Sequence, residues 1–72
     1  MYIDNRTNLP ITEVFQIITK VINSSDPGET FYYGKVESFT VTRIDKVKYK
    51  IEIHYLKRYV RWVIKEIKND KR

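Results

Sequence analysis

The sequence predicts a single compact α+β domain that spans all 72 residues. Its elements are expected in the order helix, β-hairpin, helix. Three stretches carry this prediction. Apolar residues recur at three- and four-residue spacing over 11–22, as on one face of a helix, and at two-residue spacing over 47–55, as on one face of a strand. Over residues 56–67, apolar residues again lie on one face when the segment is drawn as a helix.

The first helix is predicted from Ile11 to Asn23. Pro10 suits the first helical turn, where the missing N–H has no partner to lose. The following Pro27-Gly28 pair is typical of a type II turn. Residues 1–8 are predicted to form an irregular or short extended arm. The predicted apolar face contains Ile11, Val14, Phe15, Ile18, Val21 and Ile22.

The hairpin is predicted to have a three-residue loop at 44–46. This loop places Val41 opposite Tyr49, so that apolar residues of both strands share one face. A two-residue turn would instead place Val41 opposite Lys50. Because Val36 is out of phase with Val41, we also expect a bulge near Glu37 or Ser38.

The last segment is predicted to be a helix from about Lys57 to Asn69, which covers the same face of the sheet as the first helix. Its basic residues would then form one flank beside the apolar arc. The alternative is a third strand, because β-branched and aromatic residues are frequent there. Residues 70–72 are predicted to be a disordered tail.

Positive charge is concentrated in the second half of the chain. Residues 1–36 have a net charge of −1 and residues 37–72 a net charge of +6, which gives the total of +5. Such a basic set can bind phosphates, and nearby aromatic side chains can stack on bases. The alternative is a solvated polar face that maintains solubility. The predicted nucleic-acid-binding residues are Arg43, Lys46, Lys48, Lys50, Arg58, Arg61, Lys65 and Lys68.

Trp62 is the most informative single residue. In the helical interpretation it points away from the apolar arc and is exposed, which is typical of a contact residue. A chain of this size buries only about 60% of its unfolded surface, so we expect a homodimer that adds further burial. The predicted interface contains Trp62, Tyr59 and Tyr33. If the segment is instead a strand, Trp62 belongs to the core.

Catalytic, metal and cofactor sites are not predicted. The chain has no cysteine and one histidine, so neither a disulfide nor a metal cluster is expected. His54 could share a face with Glu52, but no nucleophile accompanies them. No signal peptide or membrane segment is evident, which favours a cytoplasmic location.

These observations predict a non-catalytic interaction or structural module that acts as a homodimer. The alternative is a basic accessory protein that binds DNA or RNA. A small, cysteine-free, basic chain of this kind is typical of accessory proteins of phages and mobile elements. No helix-turn-helix spacing, zinc finger or nucleotide-binding motif is present.

Overall fold

A computed structural model describes residues 2–27 and 34–67. Within these residues one helix packs on a four-stranded mixed sheet, which confirms the predicted α+β class. The elements are β1 (Tyr2–Asn5), α1 (Ile11–Ser25), β2 (Val36–Thr42), β3 (Lys48–Tyr55) and β4 (Val60–Ile67). The strands lie in the order β1-β4-β3-β2. Strand β1 is parallel to β4, and the other neighbouring strands are antiparallel.

Helix α1 begins at the predicted residue and ends two residues later than predicted. Pro10 is its N-cap residue, and Asp26 ends it in the left-handed conformation with φ 47°. The side chains that α1 buries are Val14, Ile17, Ile18 and Val21. Ile11, Phe15 and Ile22 of the predicted apolar face are instead about half exposed, because a helix on a single sheet buries only one stripe of its surface.

The hairpin has the predicted register. Val41 lies opposite Tyr49 and Phe39 opposite Ile51, so the three-residue loop is confirmed. Lys46 closes this loop with φ 69°, a left-handed conformation that a three-residue hairpin loop requires at its last position. The Asp45 carboxylate supports the turn by accepting a hydrogen bond from the Val47 N–H at 3.0 Å.

The predicted bulge near Glu37 or Ser38 is wrong. Pairing between β2 and β3 runs without interruption from Val36 opposite His54 to Thr42 opposite Lys48. Val36 therefore points to the side of the sheet away from α1, where it is 49% exposed. No bulge is needed because this position is at the sheet edge and does not belong to the core.

The predicted second helix is also wrong, and the alternative assignment as a strand is correct. Residues 60–67 form β4, which pairs with β3 along its whole length. The residues of the predicted helix beyond Ile67 lie outside the described residues. The helical arc was misleading because β4 is buried on both faces: Val63 and Ile64 point to opposite sides and are 2% and 0% exposed. Burial on both faces removes the alternation that identifies a strand.

Residues 2–5 form the fourth strand, which confirms the extended alternative predicted for the arm at residues 1–8. The sheet therefore has one strand more than the three-stranded alternative prediction. Strand β1 pairs with β4 through Tyr2 opposite Arg61 and Asn5 opposite Ile64. Asn5 then fixes the connection to α1. Its side-chain amide donates to the Leu9 carbonyl at 2.9 Å, and its side-chain oxygen accepts from the Thr7 N–H at 3.0 Å.

The main core lies between α1 and the sheet. Ile51 and Ile64 lie directly opposite each other on the two central strands and are both 0% exposed. Trp62 is only 5% exposed, so the exposure predicted for it is wrong. It belongs to a cluster of buried side chains that also contains Val14, Ile17, Ile18, Val21, Val41, Tyr49, Ile51, Ile53, Tyr55 and Ile64.

Replacing Ile51 with alanine should lower the free energy of unfolding by about 2–5 kcal/mol. The substitution removes buried methyl and methylene groups and leaves a cavity, which close-packed neighbours fill only in part. The matched control is Ile44→Ala in the hairpin loop, where the side chain is 98% exposed. This control should change stability by less than about 0.5 kcal/mol. Urea unfolding followed by circular dichroism measures both, and equal effects would contradict the placement of Ile51 in the core.

Candidate functional site

The side of the sheet opposite α1, called here the open face, is not covered by any described element. Alternation along each strand determines which side chains lie on it. Residues that alternate with the core positions point to this side. They are Tyr2 and Asp4 of β1, Val36, Ser38, Thr40 and Thr42 of β2, Lys48, Lys50, Glu52 and His54 of β3, and Arg61, Val63, Lys65 and Ile67 of β4.

Four of the eight predicted nucleic-acid-binding residues come together on the open face. Lys48 and Lys50 belong to β3, and Arg61 and Lys65 belong to the neighbouring β4. Lys50 lies directly opposite Lys65, and Arg61 lies directly opposite His54. Like charges in directly opposed positions destabilise a sheet. The basic cluster therefore forms at a cost to the fold.

Glu52 is the carboxylate that holds this cluster together. Its Oε2 lies 3.4 Å from Lys50 Nζ and 3.9 Å from Lys65 Nζ, and its Oε1 lies 3.2 Å from His54 Nε2. The hydrogen bond with His54, helped by the two lysines, lowers the pKa of Glu52 below its ordinary 4.5. Glu52 is therefore ionised at neutral pH and partly neutralises Lys50 and Lys65.

The remaining charges on the open face are also incompletely balanced. Asp4 is bound by Arg6, whose Nη2 lies 2.9 Å from Asp4 Oδ2. The Nε of Arg61 is shielded from solvent and has no hydrogen-bond partner among the described residues. On the strands themselves, four lysine and arginine residues face two carboxylates. The open face thus keeps a net positive charge.

The other four predicted nucleic-acid-binding residues do not join the open face. Arg43 turns towards the helix and forms an ion pair with Glu13. Lys46 lies in the hairpin loop, and Arg58 lies in the connection between β3 and β4. Lys68 lies outside the described residues.

Two of the three predicted interface residues, Trp62 and Tyr59, line the same cleft. Trp62 lies on the helix side, at the wall of a cleft of about 580 Å³ that Ile22, Tyr55 and Tyr59 also line. Tyr59 is 49% exposed and packs against Tyr2 with ring centroids 6.0 Å apart. Tyr33 lies outside the described residues. A homodimer interface formed by Trp62, Tyr59 and Tyr33 stays a prediction.

Tyr2 was not among the sequence-predicted site residues. It lies opposite Arg61 on the open face and is 54% exposed, so it places an aromatic ring at one end of the basic cluster. The strand that carries it has only four residues, which is too short for a reliable alternation pattern. The alternation of Tyr2 and Asp4 with Ile3 was the one feature of the sequence that could have indicated a strand here.

His54 is the one histidine of the chain. It contacts Glu52, and the two lysines share the same carboxylate. No group of three or more His, Asp or Glu in the described ranges could hold a metal ion. No helix there has the length and apolarity needed to cross a membrane.

Comparisons with protein-family models, with curated proteins and with solved structures find no match to this chain.

Replacing Glu52 with glutamine should destabilise the fold at neutral pH by up to about 1 kcal/mol, because Lys50 and Lys65 then face each other without a carboxylate. The pKa of Glu52 is lower in the folded state than its ordinary value. The stabilisation of the fold by ionised Glu52 is therefore complete at pH above the ordinary pKa, and it is lost as the pH falls through the pKa of the folded state. The difference between the two proteins should therefore shrink below about pH 4.5.

Urea unfolding at pH 7 and at pH 3 measures this difference. Glu66→Gln is the control, because Glu66 is an exposed carboxylate of β4 outside the cluster and should matter by less than about 0.5 kcal/mol. A destabilisation by Glu52→Gln that is as large at pH 3 as at pH 7 would contradict the electrostatic role.

Proposed function

We propose that this protein is a non-catalytic module that binds single-stranded nucleic acid on the open face of its sheet. The observation that carries the proposal is the direct opposition of Lys50 and Lys65 on adjacent strands. Such a pair is unfavourable without a counter-charge, and among the described residues Glu52 is the one carboxylate that contacts both lysines. A polyanion laid across the two strands supplies the missing negative charge and releases its own counterions on binding.

The shape of the cluster suits a chain of phosphates better than one small anion. The basic side chains extend along β3 and β4 from Lys48 to Arg61, which lies opposite His54. Lys48 and His54 are six positions apart along β3, a distance of about 20 Å. Lys48 is exposed, and the side chains of Lys50 and Lys65 are 46% and 42% exposed. The cluster is therefore open along its length and does not form a closed anion pocket.

Both ends of this path carry groups that suit a nucleic-acid strand. At one end, the exposed rings of Tyr2 and Tyr59 contact each other beside Arg61, and exposed aromatic rings can stack on unpaired bases. At the other end, a polar cleft of about 370 Å³ is lined by Arg6, Thr7, Asn8, Lys65 and Glu66. Its arginine, lysine and hydroxyl can donate to phosphate oxygens.

Single-stranded nucleic acid is favoured over a duplex by the width of the sheet. A two-stranded ribbon can enter the major groove, which is about 12 Å wide. The predicted hairpin is not a free ribbon, however, because β3 pairs with β4 from Lys48 to Tyr55. Four strands spaced about 4.8 Å apart measure about 14 Å between the outer strands before side chains are added. A flat face of this width fits an extended strand with accessible bases.

Replacing Lys50 and Lys65 together with glutamine should weaken binding to single-stranded DNA and RNA by tenfold or more at low salt. Each lost phosphate contact should also reduce the slope of log K against log salt by about 0.7. Fluorescence anisotropy with labelled oligonucleotides of about 15 nucleotides, over a salt series, measures both quantities. A duplex of the same length should bind more weakly than the single strand.

The matched control is Lys20→Gln with Lys57→Gln, which removes the same charge from exposed positions on α1 and in the β3–β4 connection. Its salt slope should stay close to that of the natural protein. Equal losses in the two double variants would show that only net charge matters and would contradict a site on the open face. Absence of binding by the natural protein at low salt would overturn the proposed function.

A further inference from the structure

Strand β2 is a free edge of the sheet in the described part of the chain. Its one neighbour there is β3. The hydrogen bonds from Arg43 N–H to the Val47 carbonyl and from Tyr55 N–H to the Lys35 carbonyl, both 3.0 Å, fix which residues bond inward. In an antiparallel pair these alternate with residues whose N–H and C=O point outward. The outward-pointing residues of β2 are Val36, Ser38, Thr40 and Thr42.

This edge has few of the features that normally prevent strand addition, and its one charged side chain, Glu37, accepts a hydrogen bond from the Tyr55 hydroxyl. Natural edge strands are often very short, or carry lysine, proline or a bulge. Strand β2 has seven residues, Val-Glu-Ser-Phe-Thr-Val-Thr, with no lysine or proline, and it pairs with β3 without a bulge. The opposite edge, β1, has only four residues. The two edges therefore differ, and β2 is the one that can accept another strand.

We propose that two copies of this chain form a homodimer through antiparallel pairing of β2 with β2, centred on Phe39. Several symmetric registers would pair outward-pointing residues of one copy with outward-pointing residues of the other. The register centred on Phe39 is the one that pairs β2 along its whole length. It sets Ser38 against Thr40 and Val36 against Thr42 of the second copy, with about eight main-chain hydrogen bonds. The partner surface is the same strand, as an isologous two-fold interface requires.

The side chains of β2 are compatible with this register. Phe39 meets its own copy at a non-hydrogen-bonded position, where side chains approach most closely. Phe39 is partly buried and packs against the core, so the aromatic pair extends that core across the two-fold axis. Glu37 lies opposite Val41 and not opposite a second Glu37. Ser38 and Thr40 provide small polar pairs on the open face.

The dimer also has a consequence for the open face. A two-fold axis perpendicular to the sheet places both open faces on the same side and both helices on the other. The eight strands then form one continuous sheet carrying two copies of Lys48, Lys50, Arg61 and Lys65. A second copy is favoured over an unrelated peptide because β2 is complementary to itself, and because a chain of this size gains burial by association.

The first test measures the mass of the full chain by light scattering over a concentration series. The natural protein should reach the mass of a dimer. Thr40→Pro removes an outward N–H without breaking a bond to β3, a position where an edge strand tolerates proline, and should weaken the dimer by roughly tenfold or more. Thr40→Val keeps the N–H and should leave it intact. A monomer at every concentration, or a dimer unaffected by Thr40→Pro, overturns the proposal.

The second test does not depend on how well the proline variant folds. The chain has no cysteine, so one introduced thiol reports one contact. Phe39→Cys places two thiols at a non-hydrogen-bonded pair, within the reach of a disulfide. Thr42→Cys places them about 20 Å apart along the strands. Under oxidising conditions Phe39→Cys should give a covalent dimer many times faster than Thr42→Cys, and equal rates overturn the proposed register.

Discussion

Burial of β4 on both faces is the constraint on which the rest of the structure depends. Ile64 packs into the core beneath α1, while its neighbour Val63 is almost equally buried on the open face between Asp4 and Glu52. A helix could not place consecutive residues in two separate layers, whereas a strand does so at every step. With β4 fixed as a strand, β1 gains a parallel partner, β3 becomes central, and Trp62 turns into the core.

The charge distribution of the open face follows from the same constraint. Pairing of β4 with β3 brings Lys65 opposite Lys50 and Arg61 opposite His54, although these residues are distant in sequence. Among the described residues, one shared carboxylate, Glu52, offsets the repulsion, and the buried Arg61 Nε has no hydrogen-bond partner. Under the proposed function, stability and binding have opposite requirements: more carboxylates would relieve the repulsion but would also repel a nucleic-acid strand.

Local patterns in the sequence were sufficient for the first helix and the hairpin, because alternation in β3 and the match of Val41 with Tyr49 are short-range signals. They failed for β4, where Trp62, Val63 and Ile64 are all buried and show no alternation. They left β1 as either irregular or extended, because four residues are too few to show alternation. The site was affected in the same way. Alternation within one strand predicts that Lys48 and Lys50 share a face. Their proximity to Arg61 and Lys65 depends on the register between β3 and β4, which the periodicity of the sequence does not reveal.

The most direct test of the central claim is an amide NMR titration of the labelled chain with a single-stranded oligonucleotide. If β4 creates a binding surface, chemical-shift changes should concentrate on open-face residues of both central strands, such as Lys50, Glu52, Arg61 and Lys65, and on Tyr2 at the end of the path. Residues of α1 should shift little. Changes confined to α1 and the cleft beside Trp62, or absent from β4, would contradict the claim.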